Sequence, residues 1–279
     1  MPSAADAYTA RAQAFNQQRE RFYGQALRTE AAPSFARGGR GIADPNRALD
    51  PQTEMIASYV QPDDVLLDVG GGAGRLSLLF ASRCKETINV DMSASMGAQF
   101  TDIARETGLT NARFVQGDWM EVTGVEADVV LMASVTYFVH DIVPFIEKWQ
   151  AAARRRVIIS VAALSSRDLN ADLYQTVFGE DLHVAPAFRE LLPVLWEIDI
   201  YPEVRIPPLG GRRDAALPQT HEDATQWALQ QLPVDPPADG ASRIEAHFDD
   251  LFASSPNGFR PLWRPQQRDF LVTWEVGRP

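Results

Sequence analysis

The chain has 279 residues, of which 45% are hydrophobic and 23% charged, and its 26 basic and 37 acidic residues give a formal net charge of −11. At about 150 residues per domain, this length predicts two units or one large domain with additions, and the composition excludes a fibre or a wholly disordered chain. The acidic balance disfavours a nucleic-acid partner, and a single cysteine, Cys84, excludes intrachain disulfides and thiolate zinc sites.

No segment of the sequence reads as a membrane span or a secretory leader. The longest apolar run, near 157–164, is far shorter than the roughly 20 residues that a bilayer requires. The N-terminus lacks a basic start followed by an apolar block. We therefore expect a cytoplasmic protein with no membrane partner.

The N-terminal segment predicts helices followed by a joint. Residues 4–29 carry apolar side chains at a loose helical spacing, which indicates one or two amphipathic helices. Three glycines and a proline within 36–45 mark a flexible connection. Asp50 followed by Pro51 is typical of an N-cap and the first residue of a further helix.

The central segment alternates short apolar runs with helix-length stretches. Near-continuous apolar runs are typical of parallel strands buried on both faces, and the stretches between them are long enough for crossover helices. The predicted strands are Val65–Val69, Thr87–Val90, Arg113–Gln116, Val129–Ala133 and Val157–Ala162. The predicted helices are Gly74–Arg83, Ser95–Thr107 and Asp141–Ala153. The pattern predicts a doubly wound α/β sheet.

The remaining chain gives a weaker pattern. Helices are predicted over 167–178, closed by Gly179, and over 186–197, with further helical stretches near 221–231 and 241–253. Strand-like segments lie at 201–206 and 268–276. The basic run Arg154–Arg156 precedes an apolar strand, and we interpret it as the solvated end of the preceding helix.

The strongest motif is an apolar strand that runs into a glycine loop, from Val65 to Arg75. Glycines at 70, 72 and 74 remove Cβ atoms where a ligand would lie on the turn, and the next helix directs free N–H groups at it. A tight turn without a ligand is the alternative. The dinucleotide spacing G-x-G-x-x-G/A is not met, because Gly74 comes one residue early.

The spacing Asp68-x-Gly70-x-Gly72-x-Gly74 resembles motif I of the class I S-adenosylmethionine-dependent methyltransferases. The resemblance implies that this loop, with Gly71, contacts the methionine part of the cofactor and that Asp68 helps hold its amino group. It is specific over 62–163 and weak elsewhere. It also implies a seven-stranded Rossmann-like sheet in the order 3-2-1-4-5-7-6, with the last strand antiparallel.

The resemblance assigns further cofactor contacts at strand ends. Asp91 ends the second strand, where a carboxylate can accept hydrogen bonds from both ribose hydroxyls. Met92 matches the position that packs on adenine, and Asp118 matches the acid that accepts from the adenine amino group, with Trp119 as its backbone neighbour. Any one of these acids alone would more often be a helix cap.

The segment after the fourth strand is expected to border the transferred methyl group. Ser134 begins it, and His140 is the histidine beside the predicted crevice, where a neutral imidazole can take a proton from an acceptor. A loop histidine without a catalytic role is the alternative. Asp141 is interpreted as the N-cap of the following helix. No two histidines lie at metal-ligating spacing, so no metal site is predicted.

These observations predict an enzyme that methylates an oxygen, nitrogen or carbon nucleophile of a small molecule. We expect a helical cover over 1–45, a methyltransferase core over 46–206, an insertion that covers the substrate over 207–266, and a final core strand over 267–279. A non-catalytic cofactor-binding protein on the same fold and a nucleotide-dependent oxidoreductase are the alternatives. The oligomeric state is left open.

Overall fold

A computed structural model describes residues 2–24, 42–165, 168–208, 217–264 and 267–277. The strands are β1 (Val65–Val69), β2 (Glu86–Asp91), β3 (Ala112–Gln116), β4 (Ala127–Ala133), β5 (Ala153–Ala162), β6 (Glu203–Arg205), β7 (Phe252–Ser255), β8 (Gly258–Pro261) and β9 (Asp269–Glu275). The helices are α1 (Ala4–Tyr23), α2 (Pro51–Ala57), α3 (Ser77–Ala81), α4 (Ala94–Glu106), α5 (Ile142–Ala152), α6 (Ala171–Phe178), α7 (Phe188–Glu197), α8 (His221–Gln230), α9 (Gly240–Ala246) and α10 (Phe248–Leu251). No helix in these described ranges is long and apolar enough to cross a membrane.

Seven strands form one sheet in the order β3-β2-β1-β4-β5-β9-β6. Strands β1 to β5 pair in parallel, and β9 runs antiparallel to both β5 and β6. The predicted order is confirmed, with the last strand inserted between the fifth and the sixth. This inserted strand is the ninth in the chain, and not the seventh, because a separate antiparallel hairpin, β7–β8, precedes it. The sequence analysis did not predict this hairpin.

Both faces of the sheet are covered, which explains the near-continuous apolar strand sequences. In β4, Val130 and Met132 enter the larger apolar cluster, whereas Val129 and Leu131 enter a second cluster on the opposite face. Cys84 is buried in that second cluster. The carboxyl ends of the parallel strands lie at one edge of this sheet, and a ligand crevice is expected at that edge.

The basic run lies in β5, so its interpretation as the solvated end of a helix is wrong. Arg155 forms an ion pair with Asp64, whose side chain is 7% exposed. Arg156 pairs with Glu275 at 2.5 Å and has a side chain that is only 12% exposed. Acidic residues from distant segments thus neutralise the guanidinium groups and allow the arginines to extend a strand.

Helix α1 is part of the core rather than an appendage. Ser3 caps it by accepting the Asp6 N–H at 3.0 Å, and Tyr8, Ala12 and Phe15 join the larger apolar cluster. Asp50 caps α2 by accepting the Thr53 N–H at 2.9 Å, as predicted. The predicted joint at 36–45 lies mostly outside the described residues.

The described part of the insertion folds onto α6. Helices α8 to α10 and the hairpin β7–β8 share an apolar cluster with Leu173 and Val177 of α6. Gly179 ends α6 in the left-handed conformation at φ 73°, as predicted from its position. This cluster is separate from the clusters that cover the sheet.

Candidate functional site

One glycine of the loop after β1 leaves open space where a side chain would be. Among the described residues, a Cβ added to Gly72, at φ 55°, would meet only Met96 Sδ at 3.8 Å. A Cβ on Gly70 would lie 2.5 Å from Val135 Cγ2, and one on Gly74 would lie 2.6 Å from a side chain of α3. The prediction that all three glycines make room for a ligand is therefore wrong for Gly70 and Gly74, because protein side chains fill that space.

Asp68 lies beneath this loop and is only 2% exposed. Its Oδ2 accepts the Ser77 N–H at 3.2 Å, and a Cβ on Gly71 would lie 2.5 Å from the same oxygen. Burial raises the pKa of Asp68 to about 6, although the positive charge of Arg75 opposes the shift. In this position Asp68 supports the loop from below and fixes the start of α3.

Asp91, at the end of β2, is joined to the loop directly. Its Oδ2 accepts the Gly72 N–H at 2.9 Å, and its Oδ1 accepts the Ser93 N–H at 2.9 Å. On the other side, Asn89 Nδ2 donates to the Gly72 carbonyl at 3.0 Å. Gly72, the residue with open space, is thus held by side chains of β2 at both its N–H and its carbonyl.

The other predicted adenosine contacts lie beside Asp91. Met92 is 41% exposed, which leaves its side chain available to a planar ligand. The Gly117 N–H donates to the Asp91 carbonyl at 3.0 Å and so places Asp118 next to the end of β2. Asp118 is exposed, and its Oδ1 accepts the Met120 N–H at 2.9 Å.

Trp119 differs from its exposed neighbours because its side chain is 5% exposed and packs in the larger apolar cluster. The Lys148 ammonium lies 5.0 Å from the centre of its ring. The same ammonium donates to the Met120 and Val122 carbonyls at 2.8 and 2.7 Å. Trp119 anchors this loop to the core, so only its backbone remains available for a ligand.

The segment after β4 reaches the same edge of the sheet. Ser134 is exposed and has φ 62°, a left-handed conformation that non-glycine residues seldom adopt. Its N–H donates to the Ser160 carbonyl at 3.0 Å. The Tyr137 hydroxyl accepts the Ala162 N–H at 2.7 Å, and burial raises the pKa of Tyr137 to about 12. These bonds tie the segment to the end of β5.

His140 is exposed, and it follows the segment that packs on Gly70. Its carbonyl accepts the Thr9 hydroxyl of α1 at 3.0 Å. Asp141 occupies the N-cap position of α5, as predicted, although its side chain makes no capping hydrogen bond. Among the described residues, no group of three histidine, cysteine or acidic side chains is arranged to hold a metal ion.

Helix α1 lies across the segment after β4. The Tyr8 hydroxyl donates to the Thr136 carbonyl at 2.6 Å, and Asn16 Nδ2 donates to the Phe138 carbonyl at 3.4 Å. The Arg19 guanidinium lies 4.5 Å from the centre of the Phe138 ring. At the end of the helix, the Tyr23 hydroxyl donates to the Pro233 carbonyl at 2.6 Å. Helix α1 therefore bridges the crevice edge and the insertion.

Sequence reasoning missed two residues of this site. Asn89 is fully buried in β2, where it bonds the loop, and its signal was a polar residue between the apolar Ile88 and Val90. Arg75 directly follows the glycine loop, and burial lowers the pKa of its guanidinium. Its signal was a cation at the position where the next helix begins.

Comparison with known proteins agrees with this geometry. Residues 66–156, which contain the glycine loop and the strand ends β1 to β4, match a family described as "Methyltransferase domain". A protein of Haemophilus influenzae is 23% identical over 232 residues, which is 81% of this chain and 82% of that protein.

Solved structures show the same fold. The YcgJ protein of Bacillus subtilis superposes with a TM-score of 0.52 at 15% identity, covering 81% of this chain and 98% of its own. A SAM-dependent methyltransferase from Geobacter sulfurreducens, solved with S-adenosyl-L-homocysteine, superposes with a TM-score of 0.50 at 16% identity, covering 88% of this chain and 98% of its own.

Proposed function

We propose that this chain is a class I S-adenosylmethionine-dependent methyltransferase that transfers the cofactor's methyl group to an oxygen, nitrogen or carbon nucleophile of a small molecule. The observation that carries the proposal is the open space at Gly72, which we call the Gly72 cradle. Its Cβ position is open, while Asp91 and Asn89 hold its backbone at the edge where four strands end.

The residues at this edge fit S-adenosylmethionine. Gly72 offers the close backbone approach, and the loop supported by Asp68 receives the methionine part. In the proposed complex, Asp91 accepts hydrogen bonds from the ribose hydroxyls, and Met92 and Asp118, whose side chains are exposed, contact adenine. The backbones of Gly70, Gly71, Gly74, Trp119 and Ser134 complete the contact surface. When bound, the cofactor supplies a methyl group on a positively charged sulfur, with a neutral thioether as leaving group.

The protein's part in the reaction is alignment and exclusion of water. Tyr137 fixes the segment after β4 to the end of β5, and Val135 packs against Gly70. These contacts hold the acceptor side of the crevice rigid relative to the cofactor side. Because the leaving group needs no proton, a proton has to be removed only from the acceptor, and only where its nucleophile carries one.

His140 is our proposed general base for that proton. Its side chain is exposed at the end of the segment that borders the crevice, and α1 fixes its backbone through the Thr9 hydroxyl. A positioned base contributes on the order of 10²- to 10⁴-fold. An acceptor that is a carbon or an already ionised group would not need it.

Helix α1 and the insertion are our proposed substrate cover. In support, α1 donates hydrogen bonds to the segment after β4, and Tyr23 connects it to the insertion. The chain then divides into a cover over 1–45, a core over 46–206 with its last strand in 267–279, and a second cover over 207–266. The cytoplasmic location stays a prediction.

The experiment is incubation of the protein with S-adenosylmethionine labelled in its methyl group and a small-molecule metabolite extract. We expect label to move into a small molecule. The variant His140→Ala should lower this rate by about 10²- to 10⁴-fold and leave cofactor affinity unchanged. The variant His183→Ala, at an exposed histidine outside the proposed substrate cover, is the control.

Cofactor binding without label transfer to any fraction would contradict the proposal and favour a non-catalytic cofactor-binding protein. Label transfer that His140→Ala leaves intact between pH 6 and pH 8 would remove His140 from the mechanism and keep the methyl transfer.

A further inference from the structure

Arg75 is a partly buried cation next to the glycine loop after β1. It directly follows Gly74, it is only partly exposed, and burial is the largest effect on its pKa. Within the described chain, no carboxylate oxygen lies at ion-pair distance from its guanidinium, and its side chain has no hydrogen-bond acceptor. A guanidinium that is withdrawn from water needs a compensating anion.

The carboxylates near Arg75 already have other partners. Asp68, Asp50 and Asp269 act favourably on its charge, whereas Arg47 acts unfavourably. Asp68 accepts the Ser77 N–H at 3.2 Å, and Asp50 accepts the Thr53 N–H at 2.9 Å and pairs with Arg47 at 3.3 Å. Asp269 also has a partner. Two arginines thus lie together, since Arg47 Nη2 donates to the Arg75 carbonyl at 3.5 Å.

The charges of the cofactor include an anion that the Arg75 guanidinium can bind. The methionine end of S-adenosylmethionine carries a carboxylate beside an ammonium and a sulfonium group. Asp68 and Asp91 border the glycine loop and attract the two positive groups, but they repel the carboxylate. A guanidinium fork binds a carboxylate through two parallel hydrogen bonds.

We propose that Arg75 binds the carboxylate of the cofactor's methionine end. This assignment rests on the proposed function. An acceptor that is a carboxylic acid would present the same group, so the experiment has to separate these two sources.

The experiment measures binding by titration calorimetry with three ligands. S-adenosylhomocysteine carries the carboxylate, its decarboxylated analogue lacks only that group, and 5′-methylthioadenosine lacks the whole amino-acid part. The wild type should bind S-adenosylhomocysteine about 10- to 100-fold more tightly than the decarboxylated analogue, the scale of hydrogen bonds to a charged group.

Variants locate the effect. Arg75→Gln should bind S-adenosylhomocysteine about 10- to 100-fold less tightly than the wild type does, and should bind the other two ligands as the wild type does. Arg75→Lys should recover part of the loss, because it keeps the charge without the fork. Arg83→Gln, at an exposed arginine just after the end of α3, should match the wild type for all three ligands.

Equal wild-type affinity for S-adenosylhomocysteine and its decarboxylated analogue would overturn the assignment without any variant, and the proposed function would stand. An Arg75→Gln variant that binds S-adenosylhomocysteine normally but has a raised KM for an acid acceptor would show that Arg75 binds the carboxylate of the acceptor. That result would also overturn the assignment. A wild type that binds none of the three ligands would overturn the proposed function itself.

Discussion

Gly72 and Gly108 allow a ligand effect to be separated from backbone strain. Both have positive φ, 55° and 70°, and no atom of the described residues would lie closer than 3.8 Å to a Cβ added at either glycine. Alanine at either position should lower the free energy of unfolding by roughly 1 to 2 kcal/mol, the cost of the left-handed conformation. Gly72→Ala alone should also weaken S-adenosylhomocysteine binding, by at least about 10-fold, because its methyl group intrudes on the ligand surface.

Chemical denaturation and titration calorimetry measure these two quantities. Equal ligand affinity of the two variants would contradict the Gly72 cradle. Gly71→Ala should behave differently, with a larger loss of stability, since its Cβ would lie 2.5 Å from Asp68 Oδ2.

Asp68 gives the protein a pH-dependent stability. Burial raises its pKa to about 6, above the roughly 3.9 of an aspartate in an unfolded chain. Between these values the native state binds more protons than the unfolded state, so stability falls as the pH rises from about 4 to about 6 and then levels off. The free energy of unfolding of the wild type, relative to Asp68→Asn, should fall by up to about 3 kcal/mol over that range.

Denaturant titrations of both proteins at pH 4, 5, 6 and 7 test this sign. The variant Asp63→Asn, at an exposed residue before β1, is the control and should track the wild type at every pH. A difference between wild type and Asp68→Asn that stays constant would mean that folding leaves the pKa of the carboxyl group unchanged, and one that grows with pH would mean that folding lowers it; either result would contradict the prediction.

The sequence predicted which residues lie at this edge of the sheet better than it predicted what their side chains contact. The resemblance pointed to Asp68 and the glycine loop, and Asp91 was predicted because strand ends converge at one edge of a parallel sheet. Their tasks depend on which side chain from another segment fills each space. Val135, distant in sequence, occupies the space beside Gly70, whereas nothing in the described chain occupies that beside Gly72 apart from Met96.

At the scale of elements, strand β5 depends on the ion pair of Arg155 with Asp64. Arg155→Met leaves the Asp64 carboxylate, whose side chain is 7% exposed, without its cation. We expect the free energy of unfolding to fall by about 2 to 3 kcal/mol, less than for a fully buried pair because Arg155 is 31% exposed.

Arg154→Met is the matched control for this change. Arg154 pairs with Glu126 and Asp128 at 3.5 Å near the surface, so its loss should lower the free energy of unfolding by less than about 1 kcal/mol. Urea denaturation of both variants gives the comparison. Equal effects would show that the Asp64 pair contributes no more than a surface pair.

The arginine run shows why this strand start could not be predicted. Taken from the sequence alone, three consecutive arginines predict a solvent-exposed segment. In the fold, acidic residues at 64, 126, 128 and 275 form ion pairs with them. The hairpin β7–β8 was missed for a different reason. Its turn ends in Asn257-Gly258, a recognised hairpin signal, but its strands are only four residues long.

For the whole molecule, the sheet order was predictable because the resemblance supplied it and the apolar runs marked the strands. The packing of α1 and of the insertion could not be predicted, because an apolar pattern does not indicate which surface a helix covers. In the fold, Tyr8 enters the main core and Trp263 enters the cluster of the insertion with α6. The position of α1 over the segment after β4 follows from such contacts.

The central claim is that this edge of the sheet is an S-adenosylmethionine site. Titration calorimetry of the purified protein with S-adenosylhomocysteine and with NAD tests it most directly. One-to-one binding of S-adenosylhomocysteine with no response to NAD is the predicted result, and Asp91→Ala should weaken that binding by roughly 1.5 to 3 kcal/mol. Binding of NAD with no response to S-adenosylhomocysteine would contradict the account.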